Sequence, residues 1–347
     1  MKGKNLIEYL SGRGKCLGNW LEGNISWLKM DEAVRLGHEL NPFFSPYMQS
    51  RAMEALVSEF LNEQSLSAWL SSYGVSSDAT LAGDDSPRCG IVAAGNIPAV
   101  ATHDILCAYA AGMKPVVKMS SKDKFLLPLI FPDAEYVNSA DSLYGNVDVL
   151  LTMGGNTAAK ALREKFAKFP KIVRGSRYTL AVLKGDESED ELSALAEDML
   201  LYYGLGCRNV TLLLVPNGYS FTKLSIYLKK FAEAHFENFY FDFLRRERAV
   251  AVLSEDEFVD GECVLYKKLS FNGLQSPFEG ECNMSQPPIA TLWYLPWEDE
   301  CQIEKFISFN KDNIQKIITN FGSAPRPVLH DYPDGIDTVR FLIGLKD

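Results

Sequence analysis

Over residues 1–74 apolar side chains recur at three- and four-residue spacing, as in MDEAVRLGHEL and, after the break NPFFSP, in YMQSRAMEALVSEFLNEQSLSAWL. That period lays one apolar stripe along a helix, so this stretch is predicted helical. The turn-rich segment GVSSDATLAGDDSPRC ends it. From Cys89 the pattern changes. CGIVAAG, KPVVKM, AEYVNS, VDVLLT and KIV are short, largely β-branched runs, separated by helical stretches over 98–111, from Lys122, and in NTAAKALREKFAKF. Strands alternating with helices at this spacing imply parallel βαβ units, whose carboxyl edge is where nucleotides bind.

A second set of the same ingredients follows: RYTLAVL, a helix over 189–201, NVTLLLVP, a helix over 220–234, ECVLYKK, IATLWYLPW, a helix over 300–309, and QKIITNFG. No residue-level repeat links the two sets. Beyond a Pro-rich turn, SAPRPVLHDYPDG, the run TVRFLIGL reads as a last strand. The expected architecture is α/β, with two doubly wound domains and a helical N-terminal segment. The boundaries fall at 1–86 for the helical segment packed on the first domain, 87–170 for a cofactor-type domain, 171–322 for the second domain and 323–347 for a closing segment.

Composition narrows the partners. A chain of 347 residues exceeds what one compact core usually holds, which favours two domains sharing a cleft. Its 47% hydrophobic content and mean hydropathy of -0.08 are those of a soluble protein that needs no staples. A net charge of -10 argues against nucleic acid, which would call for a basic stripe. The short clusters Lys122/Lys124 and Arg245/Arg246/Arg248 read as solvated faces. The N-terminus lacks the apolar core of a secretory leader, and no apolar run reaches the roughly 18 residues of a membrane span. The 7 cysteines are odd in number, with no CxxC pair or Cys/His cluster at metal-ligand spacing. Reduced thiols in a cytoplasmic protein without a structural metal are expected.

Three strand ends carry candidate chemistry. In AAGNIP a strand runs into Gly95 and Asn96, and Pro98 suits the first turn of a helix. Residue type alone favours a helix N-cap for Asn96; the sharper reading is an amide donor for a developing oxyanion. In MGGNTAAKAL, Gly154 and Gly155 let backbone approach a ligand, and the next helix offers its unpaired N–H groups to a pyrophosphate. In GLGCRNV, Cys207 stands between a glycine turn and a strand. Taken alone it is more often a buried structural thiol than a nucleophile.

The order of these stretches resembles the aldehyde dehydrogenase superfamily, whose members carry a Pro-Trp-Asn-Phe-Pro-like segment, a Lys-Pro-Ser-Glu segment, a Thr-Gly-Ser turn and a Gly-Gln-x-Cys nucleophile. The matching stretches are GNIP, KMSS, MGGN and GLGC, and PPIATLWYLPWEDE resembles the later Gly-Pro-Val segment with its Pro-Phe-Asp. The likeness runs from about Gly90 to Phe309. Within the superfamily the chain is most similar to the acyl-CoA reductases related to the fatty-acid reductase of bacterial bioluminescence, which share the helical N-terminal part and Gly-Asn-x-Pro.

What this resemblance implies is specific. Cys207 would be the nucleophile, with Asn96 and the Cys207 backbone N–H holding the oxyanion. Lys118, Ser120, Ser121, Gly154 and Gly155 would bind the cofactor. Hydrolytic members activate water with a glutamate in Glu-Leu-Gly-Gly; here IVRGSRYTL places Val173 or Arg174 there, so no general base is present. A thioacyl intermediate without that base awaits hydride instead, which implies reduction of a fatty acyl-CoA or acyl-carrier thioester to the aldehyde. Ser121 stands where the family's ribose-binding glutamate would repel a 2′-phosphate, and Lys122 and Lys124 follow, which favours NADPH over NADH; the alternative leaves both lysines in solvent. Glu281 is the carboxylate nearest Pro287/Pro288, where a nicotinamide-ribose contact belongs. His103 is read as a satisfied helix histidine outside the site. The family's habit implies a homodimer, although the hairpin that builds it looks shortened. Competing expectations are an acyl-phosphate reductase of the glutamyl-phosphate type and a catalytically inactive, reductase-like partner protein.

Overall fold

The computed structural model describes residues 4–269, Phe278 and 286–345. The chain divides into two compact units, one running to Gly175 and resuming at Arg326, the other covering Ser176–Pro325.

The first unit opens with helices α1 (Leu6–Leu21), α2 (Leu28–Leu40), α3 (Pro46–Ala55, continued by a wide turn over Leu56–Phe60) and α4 (Glu63–Ser71). Polar side chains start three of them: Asn5, Ser45 and Asn62 each accept a backbone N–H of the first turn. Then come β1 (Arg88–Val92), α5 (Thr102–Ala110), β2 (Lys114–Lys118), α6 (Leu126–Ile130), β3 (Glu135–Val137), β4 (Val149–Met153), α7 (Asn156–Lys165) and β5 (Lys171–Arg174). The strands form a parallel sheet in the order β3-β2-β1-β4-β5. Ile91, Val117, Val149 and Leu151 enter one core with Leu10, Met53, Trp69 and Leu106 of the helices, while Val116, Leu150 and Phe166 build the other face. A strand buried on both faces reads as an unbroken apolar run, which is the pattern of VDVLLT.

The second unit holds β6 (Tyr178–Val182), α8 (Glu189–Leu200), β7 (Val210–Pro216), α9 (Thr222–His235), α10 (Asn238–Leu253), β8 (Phe258–Asp260), β9 (Leu265–Lys268), β10 (Thr291–Trp297), α11 (Glu300–Asn310) and β11 (Ile314–Ile318). Its sheet runs β11-β6-β7-β10-β9-β8, parallel except for the edge strand β8. Leu213 and Val215 meet α8 and α9 on one face, and Leu212 and Leu214 meet Phe306 of α11 on the other.

Two sequence expectations are corrected, and one helix not assigned from the sequence is added. The last apolar run is α12 (Thr338–Ile343), begun by Asp337, whose carboxylate accepts the Arg340 N–H at 3.0 Å. A short apolar run does not distinguish strand from buried helix by period, and here the cap decides. Residues 238–253 form α10, whose aromatic-rich start hides its helical stripe. The helix over 98–111 begins only at Thr102, because Ala99 adopts a left-handed conformation (φ 52°) that a right-handed helix excludes.

Candidate active site

In the first sheet β1 lies between β2 and β4, so the segments leaving their carboxyl ends share one edge, and the direction of winding reverses between β1 and β4. That reversal is where doubly wound sheets leave a crevice for a ligand. Asn96 follows β1, Lys118 closes β2 with Ser120 and Ser121 behind it, and Gly154 and Gly155 follow β4. Lys118 and Ser120 are partly exposed, and Ser121, Lys122 and Lys124 are exposed. Neither Lys122 nor Lys124 forms an ion pair among the described residues.

The segment carrying Asn96 is fastened to the one after β2. The Ala93 N–H donates to the Lys118 C=O at 3.0 Å, and the Ala99 N–H donates to Asp123 Oδ2 at 2.8 Å. Between these ties a Cβ on Gly95 would collide with the Ser120 hydroxyl, so this glycine is dictated by close approach. Asn96 is therefore a loop residue held from both sides, not a helix N-cap; Ala101 occupies the cap position of α5.

Past β4, Gly155 is the N-cap of α7 and no side chain caps the first turn, which is exposed over 156–158. A Cβ on Gly154 would meet only that of Ala158, at 3.5 Å, so packing alone does not demand glycine there. The start of a ten-residue helix without a side-chain cap suits an anion. Beneath it the Thr152 hydroxyl is fully buried with no hydrogen-bond partner among the described residues.

In the second unit Cys207 is partly buried at the amino end of β7. The chain reaches it through Tyr202, Tyr203 and Gly204, three consecutive left-handed residues (φ 56°, 57° and 71°). Such a conformation costs a non-glycine residue about 1–3 kcal/mol and persists only where the surroundings enforce it. They do so here. Tyr203 stacks on Phe236 with ring centroids 4.3 Å apart. The buried Asn209 side chain accepts the Gly206 N–H at 2.9 Å and donates to the carbonyls of Asp198 (3.0 Å) and Leu201 (2.9 Å). The Thr179 hydroxyl donates to the Cys207 C=O at 3.0 Å, and Gln286 donates to the Gly204 C=O at 3.2 Å. The backbone around the sulfur is thus fixed by contacts from β6, the end of α8 and the segment before β10.

Arg174, one of the two residues, with Val173, at which the family resemblance places a water-activating carboxylate, points inward. Its guanidinium is 1% exposed and paired with Asp104. His103 Nε2–H donates to the Leu329 C=O (2.9 Å), and the ring packs against Phe60 and Tyr332, as a satisfied core histidine does. Glu281 lies outside the described residues. Sequence reasoning missed Asp123 and Asn209. An Asp two residues after Ser121 and an Asn two after Cys207 were visible, but only tertiary contact gives them partners.

No protein-family profile and no curated protein sequence matches the chain. Solved structures do. Aldehyde dehydrogenase 21 from Physcomitrella patens superposes with a TM-score of 0.60 at 9% identity, over 97% of this chain and 84% of that one; it was solved with the reaction product succinate. The NADP-dependent glyceraldehyde-3-phosphate dehydrogenase from Bacillus halodurans, complexed with NADP, gives 0.55 at 12% identity over 90% and 73%. A variant of aldehyde dehydrogenase C from Pseudomonas syringae, complexed with NAD+ and octanal, gives 0.55 at 12% over 88% and 70%. The chain has the aldehyde dehydrogenase fold, as its motif order implied.

Proposed function

We propose that this protein is an NADPH-dependent acyl-CoA reductase that converts a fatty acyl thioester to the aldehyde through a thioacyl-cysteine. The observation that carries this reading is the mount of Cys207: a partly exposed thiol on a strained turn that Asn209 and Thr179 hold rigid. A structural cysteine needs no such mount. Support for a nicotinamide cofactor comes from neighbours of the same fold that bind NADP or NAD+.

The residues present fit such a cofactor. The uncapped first turn of α7 with Gly154 and Gly155 suits the pyrophosphate, and Lys118 suits the adenine ribose. Ser121, Lys122 and Lys124 are exposed, and neither lysine forms an ion pair among the described residues, which leaves both available to a 2′-phosphate. When bound, NADPH supplies hydride to the acyl carbon.

The chain's own residues do the rest. The Cys207 thiolate adds to the thioester carbonyl and the Cys207 N–H donates to the oxyanion, the family resemblance assigning a second donation to the Asn96 amide; a well-placed donor is worth about 3–4 kcal/mol. Coenzyme A departs as the carbonyl re-forms on Cys207. Neither Val173 nor Arg174, the two residues at that position, carries a carboxylate to activate water, and Arg174 is a buried arginine. The acyl group therefore persists on sulfur until it is reduced, and collapse of the thiohemiacetal returns the thiolate and releases aldehyde.

The decisive experiment follows NADPH consumption with fatty acyl-CoA for the wild type and Cys207→Ala. Wild-type turnover that Cys207→Ala abolishes supports the reading; equal rates would falsify it. Turnover with an acyl phosphate but not with a thioester would move the assignment to the acyl-phosphate reductases.

A further inference from the structure

We propose that Asp123 is a positioning residue that couples occupancy of the cofactor loop after β2 to the placement of Asn96. This rests on the function proposed above and extends it to a residue outside the reacting groups.

The geometry is local and closed. Asn96 hangs between two anchors, and both belong to the segment 118–123. Upstream, the Ala93 N–H is bound to the Lys118 C=O at 3.0 Å, and Gly95 lies against Ser120. Downstream, the Ala99 N–H is bound to the Asp123 carboxylate at 2.8 Å. Only Ile97 and Pro98 separate Asn96 from that second anchor, and proline fixes its own φ, so the tether has little slack. Ala99 itself is a knot: left-handed at φ 52°, 1% exposed, its C=O taken by the Thr102 N–H (3.1 Å) and hydroxyl (2.8 Å) at the start of α5.

A carboxylate at this place is costly, which is why its presence calls for a role. Asp123 is 4% exposed, and the Ala99 N–H is the one hydrogen bond its side chain makes among the described residues. Burial pushes its pKa up to about 6, with the Ala99 N–H working against it. An apolar side chain would fill the same space without that cost. What it would not supply is a strong acceptor able to hold a non-glycine residue in a left-handed conformation three positions from Asn96. The same segment holds itself together: Ser120 and Asp123 form an isolated bridge, and the Lys122 N–H donates to the Ser120 hydroxyl at 3.2 Å. A ligand gripping Lys118 and Ser121 therefore acts on a segment whose other side carries both anchors of Asn96.

The test reads the Ala99 amide. In the wild type, saturating NADPH should slow hydrogen exchange at Ala99 at least threefold. Asp123→Ala should lose this protection, and Asp123→Asn, which keeps an acceptor oxygen, should restore part of it. A second arm measures acyl-CoA reduction for Asn96→Ala, Asp123→Ala and the double variant. If Asp123 acts through Asn96, the double variant is no slower than Asn96→Ala, and Asp123→Ala raises the Kd for NADPH while lowering kcat. NADPH that binds but leaves Ala99 exchange unchanged overturns the coupling by itself, even if Asp123→Ala does not fold. Fully multiplicative losses in the double variant overturn it too. By contrast, acyl reduction that survives Cys207→Ala sinks the parent reading alone, because the exchange arm needs only cofactor binding. Failure of NADPH to bind at all removes both.

Discussion

Arg174 grips Asp104 with one nitrogen: Nη1 donates to both carboxylate oxygens, at 2.9 and 2.8 Å, with both residues buried, and Nη2 donates to the Thr338 hydroxyl at 2.8 Å. The end of β5, α5 and the C-terminal α12 are tied in one network. Arg174→Met strands a buried Asp104 charge and is expected to cost about 3–5 kcal/mol. Adding Asp104→Leu removes that charge and should recover most of the loss. Urea unfolding measures both; a double variant as unstable as the single would show that the pair is not what holds these elements.

The thiols should differ sharply in reactivity. Burial pushes Cys89 and Cys107 well above the usual thiol range and Cys263 up to about 12. Cys301 is exposed, but the Asp299 charge and hydrogen bond raise it as well. Brief alkylation at pH 7.5, mapped by mass spectrometry, should therefore mark Cys207 well before Cys301, and leave Cys89, Cys107 and Cys263 unmarked until the chain is unfolded. Cys207 labelling no faster than Cys263 would count against every catalytic reading of this protein.

If Lys122 and Lys124 hold a 2′-phosphate, replacing both with Ala should raise the KM for NADPH about 10- to 100-fold and leave that for NADH within a factor of about two, since each charge-assisted contact is worth about 1.5–3 kcal/mol at best and less at an exposed site. The preference for NADPH should also weaken with added salt in the wild type and not in the variant. No change for either cofactor would place the lysines in solvent, and parallel losses would place them on a part that NADPH and NADH share.

Much of this architecture was legible because its signals are local. Runs such as KPVVKM and NVTLLLVP are strands in any context that buries both faces, and their alternation with helices fixes a parallel sheet. Gly95, Asn96, Gly154 and Cys207 could be placed at strand ends for the same reason. What stayed hidden depends on partners far away in sequence. Arg174 reads as one more charge until Asp104 and Thr338 close on it. Ala99 looks like helix, yet it is left-handed, with its N–H bound to the Asp123 carboxylate 24 residues on. TVRFLIGL has a strand's composition, and a six-residue helix fits because Val339 and Leu342, three apart, share one buried side.

Asp198 sets the last expectation. It is wholly buried behind the Cys207 turn, its carboxylate accepting the Gly322 N–H at 2.6 Å and the Ala324 N–H at 2.9 Å, while its own C=O takes the Asn209 amide. Burial raises its pKa from 3.8 to about 6; the two N–H groups and Lys316 oppose this, and Glu197 adds to it. A carboxyl that holds its proton more tightly when folded favours the fold while neutral. Stability is therefore greatest below about pH 4 for this group and is lost as pH rises from there to about 6, where the folded group has also ionised. The displacement corresponds to about 3 kcal/mol. In Asp198→Asn this dependence should vanish: between pH 4.5 and 7 the variant should lose about 2 kcal/mol less stability than the wild type, read by urea unfolding of the second unit's signal. Parallel stability curves for the two proteins would mean that Asp198 is already ionised throughout, held so by the two amides at the end of β11's connection.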